Sequence, residues 1–352
     1  MFGIPVDYLP VLETNVDQGI IERVPGQLYS ERIFDHILSH MKSQKDHLVK
    51  WIRDRSHFRI SSTDGTVLNF ILGNKLGSGT FGTVYSLSVY DRSMGYKFGD
   101  VALKLVTLEP DNHGESELDL DAIDCGVVEV IKLQQLQYIG EKKEDIFPLL
   151  MPLAQGDLVK LMKLFMDSRG GHDAYLVIVS KIIRQISTQI ICLQESGYFY
   201  YDVKPGNCVF FYTTSSQIDF KLCDLGSLST VQDMFMVSHP PWLHDSKDEE
   251  LKSGFITPST ANSDKYIAYV FGVFCLNLLF KRSNLLSFNE IGDMTFISYQ
   301  TRIDHLLLRC EKKYERYRGD LIRQYLEGLI YGQRNLTRDE MLFTDPDKVQ
   351  AS

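Results

Sequence analysis

Much that would identify a chain is missing from these 352 residues. The six cysteines (Cys125, Cys192, Cys208, Cys223, Cys275 and Cys310) form no Cys-x-x-Cys pair. Most sit in apolar segments, so they read as buried free thiols in a reducing compartment, cytoplasmic or nuclear. The opening Met1-Phe2-Gly3-Ile4-Pro5 has neither a basic flank nor an apolar core, so no secretory signal is expected; a secreted effector stays open. The longest apolar run, Ile267–Phe280, is short for a bilayer and carries Asn277, so it reads as a buried helix and no membrane span is expected. No internal repeat or low-complexity segment is present. Positive charge is scarce: 37 Lys and Arg stand against 46 Asp and Glu, a net charge of −9. That argues against nonspecific binding to nucleic acid or an anionic membrane.

What is present suits a core-forming globular protein. The apolar fraction is 44%, and the length fits one large two-lobed domain or two small ones. Residues 1–66 read as an extension. Pro5, Pro10 and Pro25 mark an extended arm. From Tyr29, Ile33, Ile37, Met41, Leu48 and Ile52 recur at helical multiples, with Ser30 as the cap. Its polar face, with Lys42, Lys45, Lys50, Arg53 and Arg55, belongs either to a solvated helix packed on the next domain or to a docking segment for a regulatory partner.

Beyond it, Leu76-Gly77-Ser78-Gly79-Thr80-Phe81-Gly82-Thr83-Val84 lies between two strand-like runs, Asn69–Leu76 and Thr83–Tyr90. Opening a helix, Gly-x-Gly-x-x-Gly would suggest a dinucleotide fold; between strands it reads as a hairpin folded over phosphates. Val101-Ala102-Leu103-Lys104 follows in an apolar strand, where Lys104 is either an exposed edge lysine or a buried one needing a partner. The acidic stretch Glu109–Asp124, without Lys or Arg, reads as a solvated insertion. Val127–Gln137 reads as a helix carrying Glu129. Phe147–Met151 reads as a buried strand and Pro152–Leu158 as a turn. Helices are expected over Leu158–Phe165, Tyr175–Glu195 and Ile267–Phe280, short strands over Cys208–Tyr212 and Phe220–Cys223, and further helices over 281–345.

Between the apolar runs lies Tyr200-Tyr201-Asp202-Val203-Lys204-Pro205-Gly206-Asn207, then Cys223-Asp224-Leu225-Gly226. Phosphoryl transfer needs a carboxylate to orient a hydroxyl, a cation to neutralise charge, and a carboxylate and an amide oxygen for magnesium.

In order and spacing these motifs resemble the eukaryotic-type protein kinases, most closely over residues 67–280. The resemblance implies an α+β fold of two lobes, a small antiparallel β lobe (67–154) and a larger, mainly helical lobe (155–345), with 346–352 as a tail. It implies ATP and Mg²⁺ as cofactors and a protein substrate phosphorylated on serine or threonine, since Lys204 follows Asp202 by two. ATP would be held by Leu76, Gly77, Ser78, Gly79, Thr80, Phe81, Gly82, Val84, Ala102 and Lys104, with Glu129 pairing Lys104 (Glu117 competes) and Met151, Pro152 and Ala154 at the adenine edge. Asp202 and Lys204 would be catalytic; Asn207 and Asp224 would hold metal. Asp264 would accept bonds from the catalytic-loop backbone. His-Arg-Asp is here Tyr200-Tyr201-Asp202, and Asp-Phe-Gly is Asp224-Leu225-Gly226. Ala-Pro-Glu is absent, with His239-Pro240-Pro241-Trp242 or Thr257-Pro258-Ser259 in its place. A pseudokinase scaffold and a small-molecule kinase of the same fold are the alternatives.

Overall fold

A computed structural model describes residues 48–51, 57–61, 67–79, 82–91, 93–107, 124–132, 136–137, 145–167, 172–212, 218–230, 235–236, 255–256, 260–283, 285 and 296–336. The fold is α+β, with antiparallel sheets and five α-helices among the described residues. By contacts the chain divides into two compact units, one of residues 23–155 and 211–218, the other of 1–22, 156–210 and 219–352.

The first unit is built on one antiparallel sheet. Its strands are β1 (Leu48–Trp51), β2 (His57–Ser61), β3 (Val67–Gly79), β4 (Gly82–Tyr90), β5 (Lys97–Thr107), β6 (Ile131–Lys132), β7 (Leu136–Gln137) and β8 (Asp145–Pro152). The order is β1-β2-β3-β4-β5-β8-β6, with β7 also paired to β8. Register sets Leu72, Leu87 and Val101 in one row and Leu103, Leu150 and Ile131 in another. Since side chains alternate across a strand, these rows share a face, and with Leu68, Phe70 and Val89 they form the core. Pro148, which has no N–H to give, faces Leu105 of β5 and lies between the β8 residues that pair with β6 and those that pair with β7.

Two expectations are corrected here. Residues 48–51 and 57–61 are strands of this sheet, so the expected helix does not run through Leu48–Trp51, and the sheet begins inside the stretch read as an extension; residues 29–47 and Ile52 lie outside the described residues. Nor is 127–137 a helix. Gly126 has φ +68°, residues 127–130 are irregular, and two short strands follow. Val127, Val128, Val130 and Ile131 are β-branched, which favours strand over helix.

The helices belong to the second unit: α1 (Leu158–Asp167), α2 (His172–Glu195), α3 (Thr260–Phe280), α4 (Phe296–Lys313) and α5 (Gly319–Ile330). Asp157 caps α1, its Oδ1 accepting from Lys160 N–H at 2.7 Å. Gly197, at φ +83°, ends α2. α3 is buried nearly all round, and Gly272 lets α5 close on it, since a Cβ there would stand 2.6 Å from Ile330. Its last carbonyls are claimed by side chains: Leu278 C=O by Tyr175 Oη, Leu279 C=O by Lys313 Nζ and Tyr314 Oη. Two helical stretches, Tyr175–Glu195 and Ser263–Phe280, are long and apolar enough to cross a membrane, with 61% and 78% of those windows buried inside the protein. The second is longer than the apolar run from which no span was expected. Four cysteines, Cys208, Cys223, Cys275 and Cys310, are free; Cys125 and Cys192 are disulfide-bonded, which corrects the expectation of six free thiols.

Three small sheets complete the architecture: β9 (Gly156–Asp157), β11 (Cys208–Tyr212) and β12 (Ile218–Leu222) in the order β12-β11-β9; β10 (Tyr198–Tyr200) with β13 (Leu228–Thr230); and β14 (Phe235–Met236) with β15 (Phe255–Ile256).

Candidate active site

In the sheet unit, β3 and β4 form the hairpin expected for the glycine-rich stretch. Gly77 lies opposite Val84, Ser78 opposite Thr83, and Gly79 opposite Gly82; Thr80 and Phe81 lie outside the described residues. Register shifts between Leu72 and Lys75 and again between Lys75 and Gly77 put extra residues into β3, which bend a strand. Leu76 sits within the second and is 52% exposed. The glycines have different reasons. A Cβ on Gly77 would meet nothing within 4 Å, so that backbone faces open space. Gly82 has φ +145°, and a Cβ there would stand 2.2 Å from the Leu105 carbonyl oxygen. The close approach it permits is to the protein's own strand β5.

Register places Val84 opposite Lys104 and Ala102 opposite Met151. Alternation then puts Val84, Ala102, Lys104 and Met151 on one face, opposite to the Leu87–Leu103–Leu150 core. Lys104 is buried at 6% exposure, not an exposed edge lysine. Pro152 ends β8 and is buried; Ala154 is half-buried in the loop beyond. Glu129 is not gathered with them as a helix-borne carboxylate: it is exposed on the irregular stretch before β6. Glu117 lies outside the described residues.

In the helical unit, three side chains of the 202–207 loop converge. Lys204 Nζ lies 2.6 Å from Asp202 Oδ2, and Asn207 Nδ2 donates to that same oxygen at 2.8 Å and to the Asp202 carbonyl at 3.0 Å. Asn207 is buried and Asp202 half-buried, while Lys204 is exposed. With Nδ2 committed to Asp202, the Asn207 Oδ1 is the atom left for a cation. The loop turns through Pro205–Asn207, a 3-10 turn with Pro at its start, where the missing N–H costs nothing.

Asp224 is brought to this loop by backbone bonds. Cys223 N–H donates to the Asn207 carbonyl at 2.9 Å. Tyr200 Oη donates to the Cys223 carbonyl at 2.7 Å. Asp224 itself has φ 59° and ψ 62°, a left-handed conformation that Asp tolerates better than most residues, at a cost of about 1 kcal/mol. Burial, then the neighbouring thiols and carboxylates, hold the Tyr200 phenol well above its ordinary pKa, so it stays a donor. Burial likewise raises the Cys208 thiol.

By sequence Tyr200 and Tyr201 stand only as departures from the His-Arg-Asp pattern. Both have work here. Tyr201 is buried, its Oη 3.1 Å from Ser263 Oγ and its ring 5.7 Å from that of Tyr266. Asp264 was expected to serve the loop backbone. Its Oδ1 instead accepts from Gln194 Nε2 at 2.7 Å, and its neighbour Ser263 makes the contact to the loop. Burial raises the Asp264 pKa, partly offset by Gln194. The signal for Tyr201 was in the sequence: an aromatic residue between Tyr200 and Asp202 can stack where a guanidinium would need an anion.

The chain matches no protein-family model and no curated protein with which it was compared.

Proposed function

We propose that this protein is an ATP-dependent phosphotransferase of the protein-kinase type, with a two-lobed kinase-like fold, acting on serine or threonine hydroxyls of a protein substrate. One observation carries the reading: a carboxylate, an ammonium and a carboxamide of a single loop meet at Asp202 Oδ2, with Asp224 tied to that loop by the Cys223–Asn207 backbone bond. Asp202 orients the acceptor hydroxyl and takes its proton. Lys204 places positive charge beside the same oxygen. The Asn207 amide oxygen and the Asp224 carboxylate suit Mg²⁺, a hard cation that takes one or two protein oxygens and leaves the rest to phosphates and water. When bound, magnesium supplies charge neutralisation at the transferred phosphoryl. Lys104 would meet the nucleotide's phosphates, and Val84, Ala102 and Met151 its base.

A second reading, a nucleotide-binding scaffold of weak activity, is favoured by one feature: Glu129 is exposed and outside any helix. Labelled ATP with Mg²⁺ and a pool of protein substrates separates the two. Asp202→Asn should bind nucleotide and lose most transfer, and Lys104→Met should lose both transfer and tight binding while staying folded. Transfer by Asp202→Asn at the wild-type rate overturns the assignment; nucleotide binding without any transfer by the wild type selects the scaffold.

A further inference from the structure

β12 has a strand neighbour, β11, on one edge. Its other edge is met by α2, which presents two glutamines one turn apart. Gln185 Oε1 accepts from Phe220 N–H at 2.9 Å, and its Nε2 donates to Asp219 Oδ1 at 3.1 Å. Gln189 Nε2 donates to the Phe220 carbonyl at 2.7 Å, and its Oε1 accepts from Leu222 N–H at 2.8 Å. In a strand, alternate residues turn both N–H and C=O to the same edge. Phe220 and Leu222 are the residues that a further strand would address. A carboxamide carries a donor and an acceptor in one plane, as a peptide group does, so the two side chains stand in for that strand. Gln189 is 6% exposed and sits among Ile182, Ile186, Ile190 and Leu193, all buried. An amide there is costly unless both its ends are bonded, as they are.

We infer that Gln189, seconded by Gln185, is a positioning residue for Asp224; the inference rests on the phosphotransferase reading. Leu222 stands two residues before Asp224, and the link between them has little slack. Cys223 N–H is held by Asn207 and its carbonyl by Tyr200. A slip of β12 by one residue would carry Asp224 about 3.3 Å, whereas metal ligands must hold their distance to about 0.2 Å. Gln189 fixes the axial position of the strand, and through it where the Asp224 carboxylate stands relative to the Asn207 amide oxygen.

The test uses full-length Gln189→Met, of similar shape but unable to make either bond; Gln189→Glu, which keeps an acceptor for Leu222 N–H; and, as a control, Thr188→Ala at an exposed site on the same helix. Amide hydrogen exchange over 219–224 is read alongside the Mg²⁺ dependence of phosphate transfer from ATP. Gln189→Met should exchange at Leu222 about tenfold faster and need about fivefold more Mg²⁺ for half-maximal rate, with KM for ATP within about threefold. Gln189→Glu should fall between, and Thr188→Ala should match the wild type. Should Gln189→Met fail to fold, Gln189→Glu and Gln185→Met carry the same two measurements. An active variant with the wild-type Mg²⁺ dependence overturns the inference. If the wild type transfers no phosphate, the functional reading falls instead, and exchange decides the positioning claim alone: unchanged protection at Leu222 and Cys223 overturns it, and faster exchange sustains it.

Discussion

Two glycines of the β3–β4 hairpin look interchangeable in sequence and are opposites in structure, so Gly82→Ala and Gly77→Ala should behave differently. At Gly82 an added Cβ would lie 2.2 Å from the Leu105 carbonyl oxygen and 3.1 Å from Val106 Cα, where ordinary contact begins at 3.4 Å. The oxygen belongs to the backbone of β5, a strand paired on both sides, so it cannot swing away as a side chain would. The residue also has φ +145°, a region L side chains rarely adopt. Backbone strain of about 1–3 kcal/mol and a comparable overpacking cost of about 1–3 kcal/mol together give a loss of roughly 2–6 kcal/mol for Gly82→Ala. Gly77→Ala meets no atom within 4 Å and should change stability by no more than about 0.5 kcal/mol. Urea unfolding of the three proteins measures both. A Gly82→Ala protein within about 0.5 kcal/mol of wild type would show that β4 and β5 do not pack as described. The same pair separates stability from ligand binding: if phosphates lie over the open backbone at Gly77, Gly77→Ala should weaken ATP binding in a protein of normal stability.

Tyr200→Phe keeps the ring but strips the donor from the Cys223 carbonyl, and should cost about 1–3 kcal/mol in chemical unfolding together with a fall in kcat; a loss under about 0.5 kcal/mol contradicts the role. Tyr201 is buried and bonded to Ser263 and carries no guanidinium to meet a phosphate, so the proposed activity should not depend on one nearby: phosphatase-treated protein, and protein with Ser227, Ser229 and Thr230 changed to Ala, should keep their initial rates, and a loss beyond about tenfold, roughly 1.4 kcal/mol of barrier, refutes this. Asp264 has its folded pKa raised above 3.8 by burial, so the unfolded state gives up this proton first, and its ionisation removes stability as pH rises from the unfolded value through the folded one. Asp264→Asn keeps an oxygen for Gln194 and should flatten that fall; an unchanged pH profile of stability in the acid range would dismiss the effect.

Where local pattern and tertiary need agreed, the sequence was readable. The alternation around Val101–Leu105 puts Lys104 on the face opposite the core, and the Gly, Pro and Asp punctuation of 196–207 marks the end of a helix and the loop after it. Where two periodicities competed, it was not. Val127–Gln137 fits a helical stripe, but Ile131–Lys132 and Leu136–Gln137 pair with the edge of β8, which needed hydrogen-bond partners. Leu48 and Ile52 also fit a helix, yet residues 48–51 pair with β2. The site's acidic and amide residues were legible because their order and spacing are local. Their supports were not: Tyr200, Gln189 and Ser263 act through backbone groups or hydroxyls 23, 31 and 62 residues away, and no local pattern marks such a bond.

The burial of α3 has a consequence for how the protein is made. Its covering helices are not all upstream: α4 and α5 follow it, and α5 ends about 50 residues later. At about 5–20 residues per second, a ribosome would need roughly three to ten seconds after finishing α3 to finish the helix that packs on Gly272. For that interval the emerging chain displays a helix apolar enough to pass for a membrane span. Factors that capture greasy nascent segments would meet this one before α5 does, and the yield of folded protein would depend on which arrives first.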